Sequence, residues 1–219
     1  MSSSTVQDQS VLRSTPIPRG QKRRREIAAV AERMFFAQGF SDTTMQTIAT
    51  EAGASKETLY RHFGSKEGLF SEIVESRANR FIEGLDENFR RPGTVGDILH
   101  NLGTRMLEKM MDRNALCLYR IVVAESPRNP DLGRIFFEQG PEQVKERLTQ
   151  FLAIATRRGE ISCAAPVVSA KIFLGAIITY YHMLGLVLPE RPPATRVEIK
   201  AHVDEAVAMF LQRYKVEQT

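Results

Sequence analysis

Residues 43–63 read TTMQTIATEAGASKETLYRHF, two short helical patterns separated by one glycine. Met45, Ile48, Ala49 and Ala52 recur at the spacing of a single helix face. Gly53 then supplies the residue that most readily adopts the left-handed conformation ending such a helix. Ahead of this helix, Ser41-Asp42-Thr43-Thr44 offers short side-chain oxygens for capping, and Thr43 followed by Gln46 has the form of a capping box. Beyond the glycine, Ser55 is placed to cap a second helix whose apolar residues, Leu59 and Phe63, lie one turn apart. Glu57, Thr58 and Arg61 therefore point outward, with Tyr60 and His62 on the flanks. A short helix, a glycine turn and a second short helix make a helix-turn-helix, assigned to residues 45–64.

Working outward, Ile27, Val30, Ala31, Met34 and Phe35 repeat with helical period and stop at Gly39. On the other side, Gly64 ends the second short helix. Ser65 begins a long one through Leu69, Phe70, Ile73, Val74, Phe81 and Leu85 to about Phe89, and Arg91-Pro92-Gly93 stops it. Helical periods continue over about 94–111, 115–125, 129–157 with a break near Gly140-Pro141, 166–187 and 195–214, and no segment has the alternation of a strand. The fold class is all-α. It divides into a flexible basic arm over 1–21, a three-helix head with its connecting helix over 22–82, and a larger helical body over 83–219.

With 42% hydrophobic residues in 219, the chain can bury a core, and 14 Gly with 10 Pro exclude a fibrous or low-complexity protein. Its net charge of +4 is unevenly placed. Between Arg13 and Arg25 stand Arg13, Arg19, Lys22, Arg23, Arg24 and Arg25 with no acid, so the rest of the chain is slightly acidic. A local excess of this kind points to an anionic partner for one end of the molecule. Met1 to Gln9 is polar and lacks the apolar core of a secretory signal, so a cytoplasmic protein is expected. Ile172 to Leu188 is almost wholly apolar but includes Thr179, Tyr180, Tyr181 and His182, which reads as a buried or subunit-interface helix and not as a membrane span. Cys117 and Cys163 show neither CxxC pairing nor histidines at ligand spacing, so neither a disulfide framework nor a metal site is expected.

A helix that reads DNA needs a capped start and polar side chains long enough to reach base edges. Ser55 supplies the cap. Lys56, Glu57, Thr58 and Arg61 are the candidates for base contact, with Arg61 able to make the bidentate contact to guanine and Glu57 able to accept from cytosine. Lys22 to Arg25, including Arg23, Arg24 and Arg25, are placed to neutralise phosphates beside the docked helix, and the arm to enter the minor groove.

Residues 23–83 resemble the DNA-binding domain of the TetR family of bacterial transcriptional regulators. The matching residues are Phe35, Ala37, Gly39 and Phe40, then Thr43-Thr44, Ile48-Ala49, Ala52-Gly53, Ser55-Lys56, Thr58-Leu59-Tyr60, His62-Phe63, Ser65-Lys66-Glu67 and Leu69. Glu57 departs from the small residue expected at that place. Farther on, Phe136-Phe137-Glu138-Gln139-Gly140-Pro141 and Arg157-Arg158-Gly159-Glu160-Ile161 look similar to the C-terminal domain of the AefR-like branch. The resemblance implies a homodimer paired through its last two helices, here about 166–187 and 195–214, gripping a double-stranded, roughly palindromic DNA operator. It implies phosphate contacts from Thr44, Tyr60, His62 and Lys66, and a small-molecule effector bound in the body.

Met106, Met110, Met111, Phe136, Phe137, Phe173, Tyr180 and His182 are the candidates for an apolar effector pocket, and Val203, Ala206, Val207, Phe210 and Leu211 for the apolar side of the last dimer helix. No phosphate loop, metal cluster or nucleophile motif points to an enzyme, and no cofactor is called for. The reading is a ligand-responsive repressor. Its alternatives are an activator of the same family and an interaction protein that keeps the fold without operator binding.

Overall fold

The computed structural model describes residues 19–216, which form ten helices and, among the described residues, no strand. Most of the expected arm, including Arg13, lies outside the described residues, while Arg19–Gln21 belong to the first helix. The head comprises α1 (Arg19–Gln38), α2 (Met45–Glu51), α3 (Lys56–Phe63) and the first half of α4 (Lys66–Arg90). The body comprises the rest of α4 with α5 (Val95–Met110), α6 (Arg113–Glu125), α7 (Pro130–Gln139), α8 (Pro141–Arg157), α9 (Pro166–Val187) and α10 (Arg196–Arg213). The helices α7, α8 and α9 each open on proline, whose missing N–H is no loss in the first turn.

Two cores hold these helices. In the head, the rings of Phe35, Phe40 and Phe70 meet at centroid distances of 5.1 to 6.4 Å, packed with buried Ile27, Ile48, Leu59 and Leu69. Leu118, Ile121 and Val122 of α6 and Leu132 of α7 belong to the same cluster, so two body helices pack into the head and the first core crosses the expected boundary at residue 82. The second core gathers Leu85, Leu99, Leu102, Leu148, Leu152, Phe173 and Ile177 with α10. Burying a side chain of this size is worth about 1.5–3 kcal/mol, so both clusters are substantial.

The α10 residues expected at a dimer face are turned inward. Val203, Ala206, Val207 and Phe210 are buried among α5 and α9, with Phe210 edge-on to Phe173 at 5.2 Å and Leu211 packed against the same cluster. The amphipathic face of α10 completes its own chain's core, which leaves Val197 and Met209 as its exposed large apolar residues.

By length and composition α9 is apolar enough to cross a bilayer, but its two sides differ. Ala170, Phe173 and Ile177 are buried, whereas Val168, Ile172, Tyr180, Met183 and Val187 form an exposed apolar stripe at helical spacing. The two cysteines are free and lie apart, Cys117 at the head–body junction and Cys163 in the second core.

Candidate nucleic-acid interface

The two short helices are fixed by their caps. Ser55 Oγ accepts from the Thr58 amide at 3.1 Å and lies 2.8 Å from the Thr58 hydroxyl, so α3 begins where the sequence places it. In α2 the capping box is one residue later than expected. Thr44 Oγ1 accepts from the Thr47 amide at 3.1 Å, and the Thr47 hydroxyl oxygen accepts from the Thr44 amide at 3.1 Å. Thr43 is fully buried and donates to the Gly39 carbonyl at 2.7 Å, so its hydroxyl closes α1, and Gln46 stays exposed. Of two adjacent threonines only one can enter the turn, and the buried one is lost to capping.

Between α2 and α3, Gly53 has φ +57, which only glycine adopts without strain in such a turn. A less legible glycine sits at the start of α4. A Cβ on Gly68 would lie 2.0 Å from the Phe63 carbonyl oxygen, so only glycine lets α4 abut the end of α3. Its readable signal is a glycine in the first turn of a helix, where alanine is otherwise favoured.

Leu59 and Phe63 bury one side of α3 in the head core. Lys56, Glu57, Tyr60 and Arg61 are exposed on the opposite side, and Thr58 and His62 are half-buried at its edges. Among the described residues neither Lys56 nor Arg61 is paired with a carboxylate, and the Lys56 ammonium lies 5.8 Å from the Tyr60 ring centroid. An uncompensated guanidinium and ammonium on the outer face of a short, well-capped helix suit base edges and phosphates.

The basic residues leading into this face divide into two groups. Lys22 and Arg25 are exposed. Arg23 and Arg24, expected to clamp phosphates, also bond within the head while 38% and 41% of their side chains stay exposed. Arg23 Nη2 donates to the carbonyls of Ala52 and Gly53 at 2.8 and 2.7 Å, satisfying acceptors left over at the end of α2. Arg24 donates to Glu72 through Nε at 3.0 Å and Nη2 at 2.7 Å, and to the His62 carbonyl at 2.9 Å, with its guanidinium 5.2 Å from the Phe63 ring centroid. Lys66 is likewise committed, donating to the carbonyls of Phe40 and Thr43 at 2.8 and 2.9 Å with its ammonium 4.3 Å from the Phe40 ring centroid. In each case a helix end or, for Lys66, the turn between α1 and α2, close in space but remote in sequence, supplies carbonyls that a cation satisfies.

Residues 27–73 match the family described as bacterial regulatory proteins, tetR family, and residues 97–216 match the AefR-like transcriptional repressor, C-terminal domain. The chain belongs to the TetR family. It is 31% identical over 193 residues to an uncharacterised HTH-type transcriptional regulator of Mycobacterium tuberculosis, covering 87% of this chain and 89% of that protein. Among solved structures it is similar to a TetR-family transcriptional regulator from Mesorhizobium loti, at 31% identity and a TM-score of 0.81 over 90% of this chain and 99% of the other. It is also similar to the flavonoid-responsive regulator FrrA, at 29% identity and a TM-score of 0.75 over 90% of this chain and 100% of the other.

In this TetR-family body the residues expected to line one effector pocket do not all converge. Phe137 and Tyr180 are exposed, whereas Met106 and Phe173 are buried in the second core. Phe136 packs against the head cluster and meets Tyr119 edge-on at 5.6 Å, and Tyr119 in turn meets His182 at 4.6 Å. His182 Nδ1 is 3.0 Å from the Met110 carbonyl, and its buried Nε2 has no partner among the described residues. Burial lowers the His182 pKa below the ordinary histidine value, which keeps the ring neutral with Nδ1 as the donor. These apolar and aromatic side chains stand on or at the ends of three helices, α5, α7 and α9, and residue type alone does not fix how those helices face one another.

Proposed function

We propose that this TetR-family protein is a ligand-responsive repressor that binds a palindromic operator as a homodimer and is released by a small-molecule effector. The observation carrying the reading is the outer face of α3, where Lys56, Glu57, Tyr60 and Arg61 stand exposed on a helix anchored by Leu59 and Phe63. Lys56, Glu57, Thr58 and Arg61 contact base edges from the first two turns beyond the Ser55 cap. Thr44, Tyr60 and His62 hold phosphates, joined by the exposed Lys22 and Arg25.

The head (22–82) reads DNA, and the body (83–219) dimerises and senses. The exposed stripe of Ile172, Tyr180, Met183 and Val187 supports pairing of α9 with a second copy, flanked by Val197 and Met209 of α10. Two-fold pairing places two α3 helices on successive major grooves, which calls for an inverted-repeat operator. The repressor assignment is supported by the description of the matching C-terminal family, and the effector by the flavonoid-responsive relative. The protein acts on cytoplasmic DNA without catalysing a reaction.

Genomic pull-down followed by footprinting tests the reading. It predicts protected inverted repeats overlapping promoters and raised transcription of the adjacent genes when the protein is deleted. Protection without a repeat counts against dimeric readout, and lowered transcription on deletion makes the protein an activator.

A further inference from the structure

We infer that a cleft of about 710 Å³ between α6, the end of α9 and the loop leading to α10 binds an amphipathic organic anion, an apolar body carrying one carboxylate or comparable acidic group. The inference deepens the ligand-responsive reading above and rests on it. The volume lies in the range of small-molecule sites. Its walls are apolar, with Met111, Leu116, Tyr181, Leu184 and Leu188, and its charged lining consists of Arg113, Arg120, Arg191 and Asp112.

The four charges are not equivalent. Arg120 donates to the carbonyls of Gly185 at 2.7 Å and Leu186 at 3.2 Å, closing the end of α9. Asp112 caps α6, its Oδ1 accepting from the amides of Asn114 and Ala115 at 3.1 Å each. That leaves Arg113 and Arg191, both exposed and neither in an ion pair among the described residues, as the cations able to meet an anion. An apolar floor with two exposed guanidiniums, neither in an ion pair among the described residues, fits a ligand that is apolar at one end and anionic at the other.

The cleft also has a mechanical connection to DNA. Arg113, Leu116 and Arg120 line it from one side of α6, while Cys117, Leu118, Ile121 and Val122 of the same helix pack into the head cluster. Glu125, in the last turn of α6, accepts from Ser41 in the turn that precedes α2. A ligand pressing on Leu116 therefore acts on a helix whose other side is part of the head.

The test uses the full chain and two fluorescent probes of the same shape, the anion 8-anilinonaphthalene-1-sulfonate and the uncharged N-phenyl-1-naphthylamine. The expected result is one sulfonate site per chain, weakened about tenfold in the Arg113→Gln/Arg191→Gln double variant, as two partly solvated charge contacts would give. The neutral probe should change less than twofold. Leu116→Trp, which fills the floor, should weaken both probes. Equal affinity of the sulfonate for wild type and double variant overturns the inference, as does an equal loss for both probes. Both arginines are exposed, so an unchanged thermal melting curve establishes that the double variant is folded.

Operator binding with decanoate added separates this inference from the reading beneath it. Release of wild type and double variant at the same decanoate concentration removes the cleft and keeps the effector. Arginine-dependent sulfonate binding with no release by decanoate keeps the cleft as an anion site and counts against effector release through it.

Discussion

The Ser41 hydroxyl lies 2.8 and 2.7 Å from the two carboxylate oxygens of Glu125, joining the turn before α2 to the last turn of α6. The two residues are 84 positions apart in the sequence. The contact is exposed, so its contribution is small. A double-mutant cycle of Ser41→Ala and Glu125→Ala, followed by urea unfolding, should give a coupling of about 0.3–1 kcal/mol. A coupling of zero would make the contact incidental to the head–body junction.

The three consecutive arginines should behave differently from one another. Arg24→Ala removes a two-pronged contact to Glu72 and a bond to the His62 carbonyl, and should cost about 1–2 kcal/mol of stability after allowance for partial exposure. Arg23→Ala leaves the Ala52 and Gly53 carbonyls without their partner and should cost about 1 kcal/mol. Arg25→Ala should leave stability unchanged and flatten the salt dependence of DNA binding by about one unit of slope. Thermal unfolding and DNA titrations at several salt concentrations separate the two kinds of effect.

On α3, Arg61→Ala should weaken operator binding by about 1–3 kcal/mol and relax the base preference at one position of each half-site. Tyr60→Ala should weaken all sequences alike, as loss of a phosphate contact does. Selection from a randomised DNA pool with each variant reads both outcomes directly.

His182 should make stability depend on pH. Its folded pKa is depressed by burial, so above the unfolded value of about 6.5 both states are neutral and the full stability is present. As the pH falls below about 6.5 the unfolded chain takes up a proton that the folded chain refuses, and stability is lost until the lower folded pKa is passed. The slope from this single proton cannot exceed about 1.4 kcal/mol per pH unit. His182→Gln should remove that component from unfolding curves measured between pH 7.5 and 5.

Charge placed on the outer stripe of α9 should separate subunits without unfolding them. Ile172 is 60% exposed and Met183 56%, so Ile172→Glu/Met183→Glu leaves each chain's own core untouched. Sedimentation should show a monomer with helical content retained and operator affinity reduced. A dimer that survives both changes places the interface elsewhere.

The order of the ten helices, the glycine turns and the Ser55 cap were legible in the sequence, because each rests on spacing within a few residues. The outward face of α3 was legible for the same reason: Leu59 and Phe63 could only be its buried side. The charge run before Ile27 leads into the segment that matches the bacterial regulatory proteins of the tetR family. What it could not reveal was that Arg23, Arg24 and Lys66 meet carbonyls 23 to 38 positions away. A cation in a sequence looks free until the fold brings an unsatisfied helix end beside it.

The same limit governs the body. Periodicity identified α10 as amphipathic and α9 as apolar on nearly every side, but not which surface each turns to its own chain. Tertiary packing settled that α10 faces inward onto Phe173 while α9 keeps Ile172, Tyr180 and Met183 outside, and it separated several of the apolar and aromatic residues that residue type had suggested for one pocket. Local sequence determines a helix and its apolar stripe. Only the arrangement of the other helices decides whether that stripe becomes core, cleft or the surface left for a partner, because burial is a property of neighbours that the stripe does not itself encode.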